Sequence, residues 1–360
     1  MRPNAAGALE LVLGVMTSPS ARLNRDNLRA LSHAEPEIAQ RAHLAFVLGD
    51  LHCTRNVTAS EAATHGDIVY IAAPDCTSWY RAQKFHVWFK FAVRRWPHVP
   101  WFGKVEDDAV YRVSSVLRDL SALDHREPWY YGILAFGGSC TFQEECPGGA
   151  SAAGCCGGCF AKALSPYPQQ AARCLSGATC PKPHCAVDYD GSRAHHGSAQ
   201  CPEVVIAPFA IGPIEVRSRP LARQIADCSH AEKYFSALTQ RGDALRGDCA
   251  AGDAVQAQAL TMCAPSVRLA DATWRRMSYT GSAMSKGFQD YVRRQGNTTL
   301  AWTHPAKLFN AARARELWHA FTDLPYAPQP LHTYRLATAA PSSSGGGPVT
   351  LTAAASIQPF

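Results

Sequence analysis

Glu106, Asp107 and Asp108 are three consecutive carboxylates, and they directly follow the apolar run at residues 101–105 (WFGKV). Carboxylates this close repel one another unless a cation or solvent comes between them. A hard divalent ion such as Mg²⁺ or Mn²⁺ wants oxygen ligands, takes one or two protein carboxylates, and leaves room for substrate phosphates. Along an extended segment, alternation puts Glu106 and Asp108 on one side and Asp107 on the other. One side can then face a metal-diphosphate while the other makes structural contacts. A solvated acidic turn would give the same three letters.

The fourteen cysteines are the second chemically loaded set, and nine of them fall between residues 137 and 201. Cys156-Gly157-Gly158-Cys159 is one C-x-x-C pair, but the stretch from Cys180 to His184-Cys185 makes no convincing second pair. A structural zinc site needs both, so disulfides are the better reading. Two glycosylation acceptors, Asn56-Val57-Thr58 and Asn297-Thr298-Thr299, agree with an oxidising compartment. Bound zinc or free thiols in a reducing compartment is the competing account.

Strands and helices that alternate would position the triplet. Residues 9–16 (LELVLGVM), 43–48 (HLAFVL), 67–72 (DIVYIA) and 101–105 read as strands. Residues 22–42, 61–65 and 79–95 have helical character between them. This order predicts an α/β fold with a mostly parallel sheet flanked by helices. Ligands bind such sheets at the carboxyl ends of the strands. Residues 204–226 read as strand, turn and helix, and 253–263 and 306–321 as helices. We expect one domain over residues 1–335, a Cys/Gly/Pro-rich insertion at about 137–201, and a low-complexity tail at 336–360.

With 360 residues and 47% apolar content, a sizeable core is within reach. The net charge of +6 is small and spread along the chain, without the basic stripe of a nucleic-acid binder. No segment reaches the roughly 20 apolar residues of a membrane span. The apolar run at 5–16 carries Glu10 and reads as a buried strand. A membrane link is therefore expected only through an anchor that this chain does not show. Walker A, G-x-G-x-x-G and serine-elbow patterns are absent.

The stretch from Gly66 to Arg112 carries an ordered set of motifs. It contains Gly66-Asp67-Ile68, then Asp75, Tyr80 and Lys84, then Trp88, then Lys104 with Glu106-Asp107-Asp108-Ala109-Val110. Tyr130-Tyr131-Gly132 follows. Upstream stand Gly14-Val15-Met16-Thr17-Ser18 and Phe46-Val47-Leu48-Gly49. This set resembles the β-1,3-glycosyltransferase family of β-1,3-galactosyltransferases and Fringe-type enzymes, closely over about residues 9–135 and more loosely over 204–321. The resemblance implies a Rossmann-like GT-A fold, a UDP-sugar donor and a Mn²⁺- or Mg²⁺-bridged diphosphate. It places the principal metal ligand at Asp108, with Glu106 and Asp107 beside it. Glu106 stands where the family usually has Asp. Thr17, Asp75, Lys84 and Lys104 fall at donor-side positions; the two lysines suit diphosphate charge, and surface roles suit them equally.

An inverting transferase needs a general base for the acceptor hydroxyl. The family's base segment corresponds to Gly252-Asp253-Ala254-Val255-Gln256-Ala257, which makes Asp253 the implied base. Asp253 also suits a helix N-cap, and Asp248 competes nearby. The family's donor and acceptor floor is similar to residues 207–218, with Pro208, Gly212 and Ser218 in place and Phe209, Ile211 and Ile214 substituted. His304, in Ala301-Trp302-Thr303-His304-Pro305, resembles the family's late metal-binding histidine. The implied activity is transfer of a hexose, galactose first, in β-1,3 linkage to a glycan or glycoprotein in the Golgi or ER lumen, by a family whose members are type II membrane proteins. The departures in the floor and base segments leave a second reading open: a transferase-like fold that binds glycans or partners without turnover.

Overall fold

The structure is a computed structural model. It describes residues 8–33, 40–50, 55–73, 81–140, 161–164 and 204–232. Beyond these it describes residues 235, 256, 259–260, 263–264, 266–272, 277–280, 302–305, 331–338 and 349–353.

The apolar run near the N-terminus forms β1 (Leu11–Met16), and every one of its residues is buried. Burial on both faces is what a central parallel strand requires. β1 pairs in parallel with β2 (Ala42–Gly49) on one side and with β4 (Trp101–Glu106) on the other. β3 (Ile68–Ile71) extends the sheet beyond β2. Three helices alternate with these strands: α1 (Arg22–His33), α2 (Arg55–His65) and α3 (Arg81–Arg95). Of the helix expected over 22–42, α1 and residues 40–41 are helical; residues 34–39 between them lie outside the described residues.

Further along come β5 (Val110–Tyr111), α4 (Val113–Ser121), β6 (Trp129–Cys140), β7 (Ala161–Leu164), β8 (Val204–Ser218) and α5 (Arg219–Ala226). Short strands β9 (Arg268–Asp271), β10 (Met277–Thr280), β11 (Trp302–Pro305), β12 (His332–Thr338) and β13 (Val349–Ala353) complete the described chain. The large sheet runs β13-β12-β9-β6-β8-β4-β1-β2-β3, with β7 beside β6. Among the described residues, β1–β4, β6, β9 and β13 point one way, and β7, β8 and β12 oppose them. This is the expected mostly parallel sheet flanked by helices, with antiparallel strands inserted.

Helices cover both faces. On one, Leu28 and Leu31 of α1 and Val116, Leu117 and Leu120 of α4 pack on Leu11, Leu13, Val15 and Phe46. On the other, Phe85, Trp88 and Phe89 of α3 pack on Val12, Val47 and Phe102. The Trp88 indole lies so close to β1 that a Cβ on Gly14 would come within 2.2 Å of it. Its Nε1 donates to the Gly103 carbonyl at 2.9 Å, which satisfies the buried indole N–H.

β8 runs straight into α5 through Ser218, where a turn was expected, and Pro220 sits in the first helical turn. The pairing of β8 with β6 jumps from Gly132↔Glu215 to Leu134↔Ala210. Residues 211–214 are therefore out of step with β6, while Ile214 still pairs with Val105 near the end of β4. Most of the cysteine-rich stretch lies outside the described residues. Of its described residues, 137–140 belong to β6 and 161–164 form β7, which pairs with β6.

Candidate active site

The strand order 3-2-1-4 reverses direction between β1 and β4. At such a switch point the helices leave on opposite faces and open a crevice beyond the strand ends. Thr17 follows the end of β1, and the acidic triplet stands at the end of β4, with Met16 and Glu106 as register partners. The topology therefore brings Thr17 and the triplet to the one place where an open α/β sheet binds ligands.

β4 ends at Glu106, and the chain turns at once: the Ala109 N–H donates to the Glu106 carbonyl at 3.3 Å. Asp107 and Asp108 are the central residues of that turn, so the strand alternation expected across the triplet stops at its first member. All three carboxylates are half-buried. Asp107 turns toward β1 and accepts from the Thr17 hydroxyl at 2.6 Å, with a further hydrogen bond from Asn24. Burial pushes its carboxyl up to about 6; the hydrogen bonds from Thr17 and Asn24 oppose the rise, and the charges of Asp108 and Glu106 add to it.

Three carboxylates on one short turn repel one another, and a divalent cation between them would relieve that repulsion. The donors are hard oxygens, the kind Mn²⁺ and Mg²⁺ take. Among the described residues, no three His, Cys, Asp or Glu side chains form a ready metal cage. A hard ion held by one or two carboxylates and by substrate oxygens does not need one.

β5 begins just after the triplet, and β11 pairs with it antiparallel, Thr303 opposite Val110. The backbone of His304 is thereby carried on a strand alongside the segment that leaves Asp108. Lys84 is buried and donates to the Thr17 carbonyl. Lys104 is fully buried, with Nζ 4.3 Å from the centre of the Phe85 ring. Neither lysine is a surface side chain. Asp75, Asp253 and Asp248 lie outside the described residues. Gln256, three residues after Asp253, is buried and accepts from Arg217 Nη2 at 2.8 Å. Gln256, Ala259, Leu260 and Cys263 are all helical and buried, at the i, i+3, i+4, i+7 spacing of one helix face. Cys263 is disulfide-bonded to Cys228.

Sequence reasoning missed the support behind Thr17. Arg25, on α1, donates Nη1 to Thr17 Oγ1 at 3.1 Å and grips Glu61 of α2 with Nε and Nη2 at 2.8 and 2.6 Å. Arg29, one turn on, reaches Glu61 at 2.8 Å and Asp67 at 2.7 Å. Two arginines four apart on the same helix face as Leu28 were the available signal.

The galactosyltransferase family profile matches residues 24–237. The chain belongs to the galactosyltransferase family. That match covers most of α1, the acidic turn, β6 and β8; β1 with Thr17, Asp253 and β11 with His304 lie outside it. No curated protein matches the chain in sequence. Among solved structures, core-mannan synthase A (CmsA/Ktr4) from Aspergillus fumigatus, in a Mn/GDP form, is 11% identical with a TM-score of 0.35, covering 76% of this chain and 75% of its own. The mannosyltransferase Ktr4p from S. cerevisiae is 11% identical at 0.34, covering 75% and 70%. Mannose-1-phosphate geranyltransferase from Thermus thermophilus is 10% identical at 0.33, covering 77% and 83%. At these scores the likenesses add nothing to the family assignment.

Proposed function

We propose that this galactosyltransferase-family chain is an inverting, metal-dependent hexosyltransferase that moves galactose from UDP-galactose to a glycan or glycoprotein hydroxyl in β-1,3 linkage. The observation that carries the reading is the acidic turn at the β1/β4 switch point, with Asp107 held by Thr17 and three consecutive carboxylates at the strand end. Asp108 and Glu106 would hold Mn²⁺ or Mg²⁺, with His304 completing the set from β11. The ion, when bound, offsets the charge of the departing diphosphate.

The chain's own residues supply the rest. Asp253 takes the proton from the acceptor hydroxyl as its oxygen bonds to the anomeric carbon from the face opposite the nucleotide. The bond from that carbon to the UDP oxygen breaks, UDP leaves with the electron pair, and the configuration inverts. Thr17, Asp75 and Lys84 border the donor. Buried beneath the site, Lys104 adds positive charge on the β4 side. The disulfide between Cys228 and Cys263 supports residence in the Golgi or ER lumen.

The test is turnover of a panel of UDP-sugars with and without Mn²⁺. UDP-galactose is expected to be consumed in a Mn²⁺-dependent way, and faster with a glycan acceptor. If no UDP-sugar is bound or turned over, the enzyme reading is wrong and the chain is a transferase-like binding protein.

A further inference from the structure

Arg25 is fully buried, yet it makes no contact that a substrate would need. Its position is explained by a chain of directed hydrogen bonds. Glu61 fixes the guanidinium plane by a two-point grip, Nε to Oε1 at 2.8 Å and Nη2 to Oε2 at 2.6 Å. The remaining nitrogen, Nη1, donates to Thr17 Oγ1 at 3.1 Å and to the Ser18 carbonyl. A guanidinium only donates, so Thr17 Oγ1 must accept from it. The single hydroxyl proton of Thr17 is then directed to Asp107 Oδ2, 2.6 Å away. The orientation set on α2 thus passes through α1 and β1 into the acidic turn.

We propose that Arg25, held by Glu61, is a positioning residue for the metal-binding turn and acts through the Thr17 hydroxyl. It fixes Asp107 against β1, and so sets where the neighbouring carboxylates of Glu106 and Asp108 present their oxygens. This rests on the metal reading of the triplet given above. A buried ion pair is a poor way to stabilise a sheet, since apolar residues of like volume do as well or better. A device that orients ligands is a better account of one that ends on a carboxylate of the triplet. Partners one step behind metal ligands commonly change affinity by about 10–100-fold.

The probe is Mn²⁺ alone, titrated into the purified full chain, with free Mn²⁺ read by electron paramagnetic resonance and the melting temperature measured in parallel. Thr17→Val should weaken Mn²⁺ binding by about tenfold or more. Thr17→Ser keeps the hydroxyl and should stay within about twofold of the parent. Arg25→Lys should weaken binding in the parent, and add less than about twofold once Thr17 is Val, because both changes cut one relay. Parent affinity in Thr17→Val, or an Arg25→Lys loss that adds in full to it, would overturn the proposal while leaving the metal site standing. If the parent binds no Mn²⁺ at all, the metal reading falls and this inference with it. Should Arg25→Lys fail to fold, the comparison of Thr17→Val with Thr17→Ser decides the matter alone.

Discussion

Glu61→Gln is the sharpest test of the buried ion cluster behind the site. The Glu61 side chain is 3% exposed and faces both Arg25 and Arg29. Burial alone would raise its carboxyl; hydrogen bonds from the two arginines, and their charges, outweigh that and lower it from 4.5 to about 2. Each tenfold change in acidity is worth about 1.36 kcal/mol, so the ionised form gains roughly 3 kcal/mol on folding. The sign follows from the direction. The folded value lies below the unfolded one, so this stability is fully present above about pH 4.5 and disappears as pH falls through about pH 2.

Glutamine keeps the shape and removes the charge, leaving the buried Arg25 guanidinium without its carboxylate while Arg29 keeps Asp67 and Asp26. The variant should lose about 3 kcal/mol or more near neutral pH, as one-sided removal of a buried ion pair does. Urea unfolding of parent and variant between about pH 7 and about pH 3 measures the gap. The gap should narrow below about pH 4.5, where Glu61 of the unfolded parent takes up a proton while the folded one stays ionised. A constant gap down to about pH 3, or one below about 1 kcal/mol at neutral pH, would refute the pairing as the source of the low carboxyl.

Four further outcomes follow from the same structure. Asp108→Ala should abolish transfer and Mn²⁺-dependent UDP binding without changing the circular dichroism spectrum; retained activity would remove the triplet from the chemistry. Asp253→Asn should spare donor binding and cut transfer by about a hundredfold or more, as loss of a general base does; unchanged transfer would move the base, with Asp248 the next residue to change. Cys228→Ser with Cys263→Ser opens a loop of 35 residues, for which the chain-entropy relation gives about 4 kcal/mol, read as a fall in the urea midpoint. Gly14→Ala places a methyl where the Trp88 ring lies, 2.2 Å from the new carbon, and should cost about 1–3 kcal/mol with a shifted Trp fluorescence spectrum.

The parallel half of the sheet was legible because its strands are continuous apolar runs, and such runs are what a two-sided burial demands. The long strand β8 was harder. Pro208, Gly212 and Pro213 are of types that ordinarily interrupt a strand, yet all lie within Val204–Ser218. The step in its pairing with β6 absorbs Gly212 and Pro213, since a bulge tolerates a missing donor and a missing side chain. Tyr130, Tyr131 and Gly132 belong to the motif set but serve the frame. The Tyr130 hydroxyl accepts from the Ala210 N–H at 2.9 Å, and Tyr131 donates to Asp119 at 2.9 Å. Arg25 and Glu61 were passed over because charge on a helix reads as a solvated face, and the fold turns this face inward.

A second buried charge set makes the case for orientation stronger than either does alone. Glu215 and Arg217, both fully buried on β8, pair with each other, and the Arg217 guanidinium stacks 3.9 Å from the centre of the Phe89 ring. Its Nη2 also donates to Gln256, while Arg217 Nη1 and Glu215 Oε2 have no hydrogen-bond partner among the described residues. A buried ion pair is a weak way to stabilise a core, since apolar residues of like volume do as well or better. What the pair does provide is direction: a planar fork set by Glu215 and stacked on Phe89 can hold Gln256 in only one place. With the disulfide at Cys263, the helical face that follows Asp253 is fixed at two points, one polar and one covalent. Arg25 does the same for the acidic turn. A buried arginine gripped by a glutamate thus fixes two segments, the acidic turn and the helical residues that follow Asp253 in sequence, and fixed geometry is what transfer between two bound substrates requires.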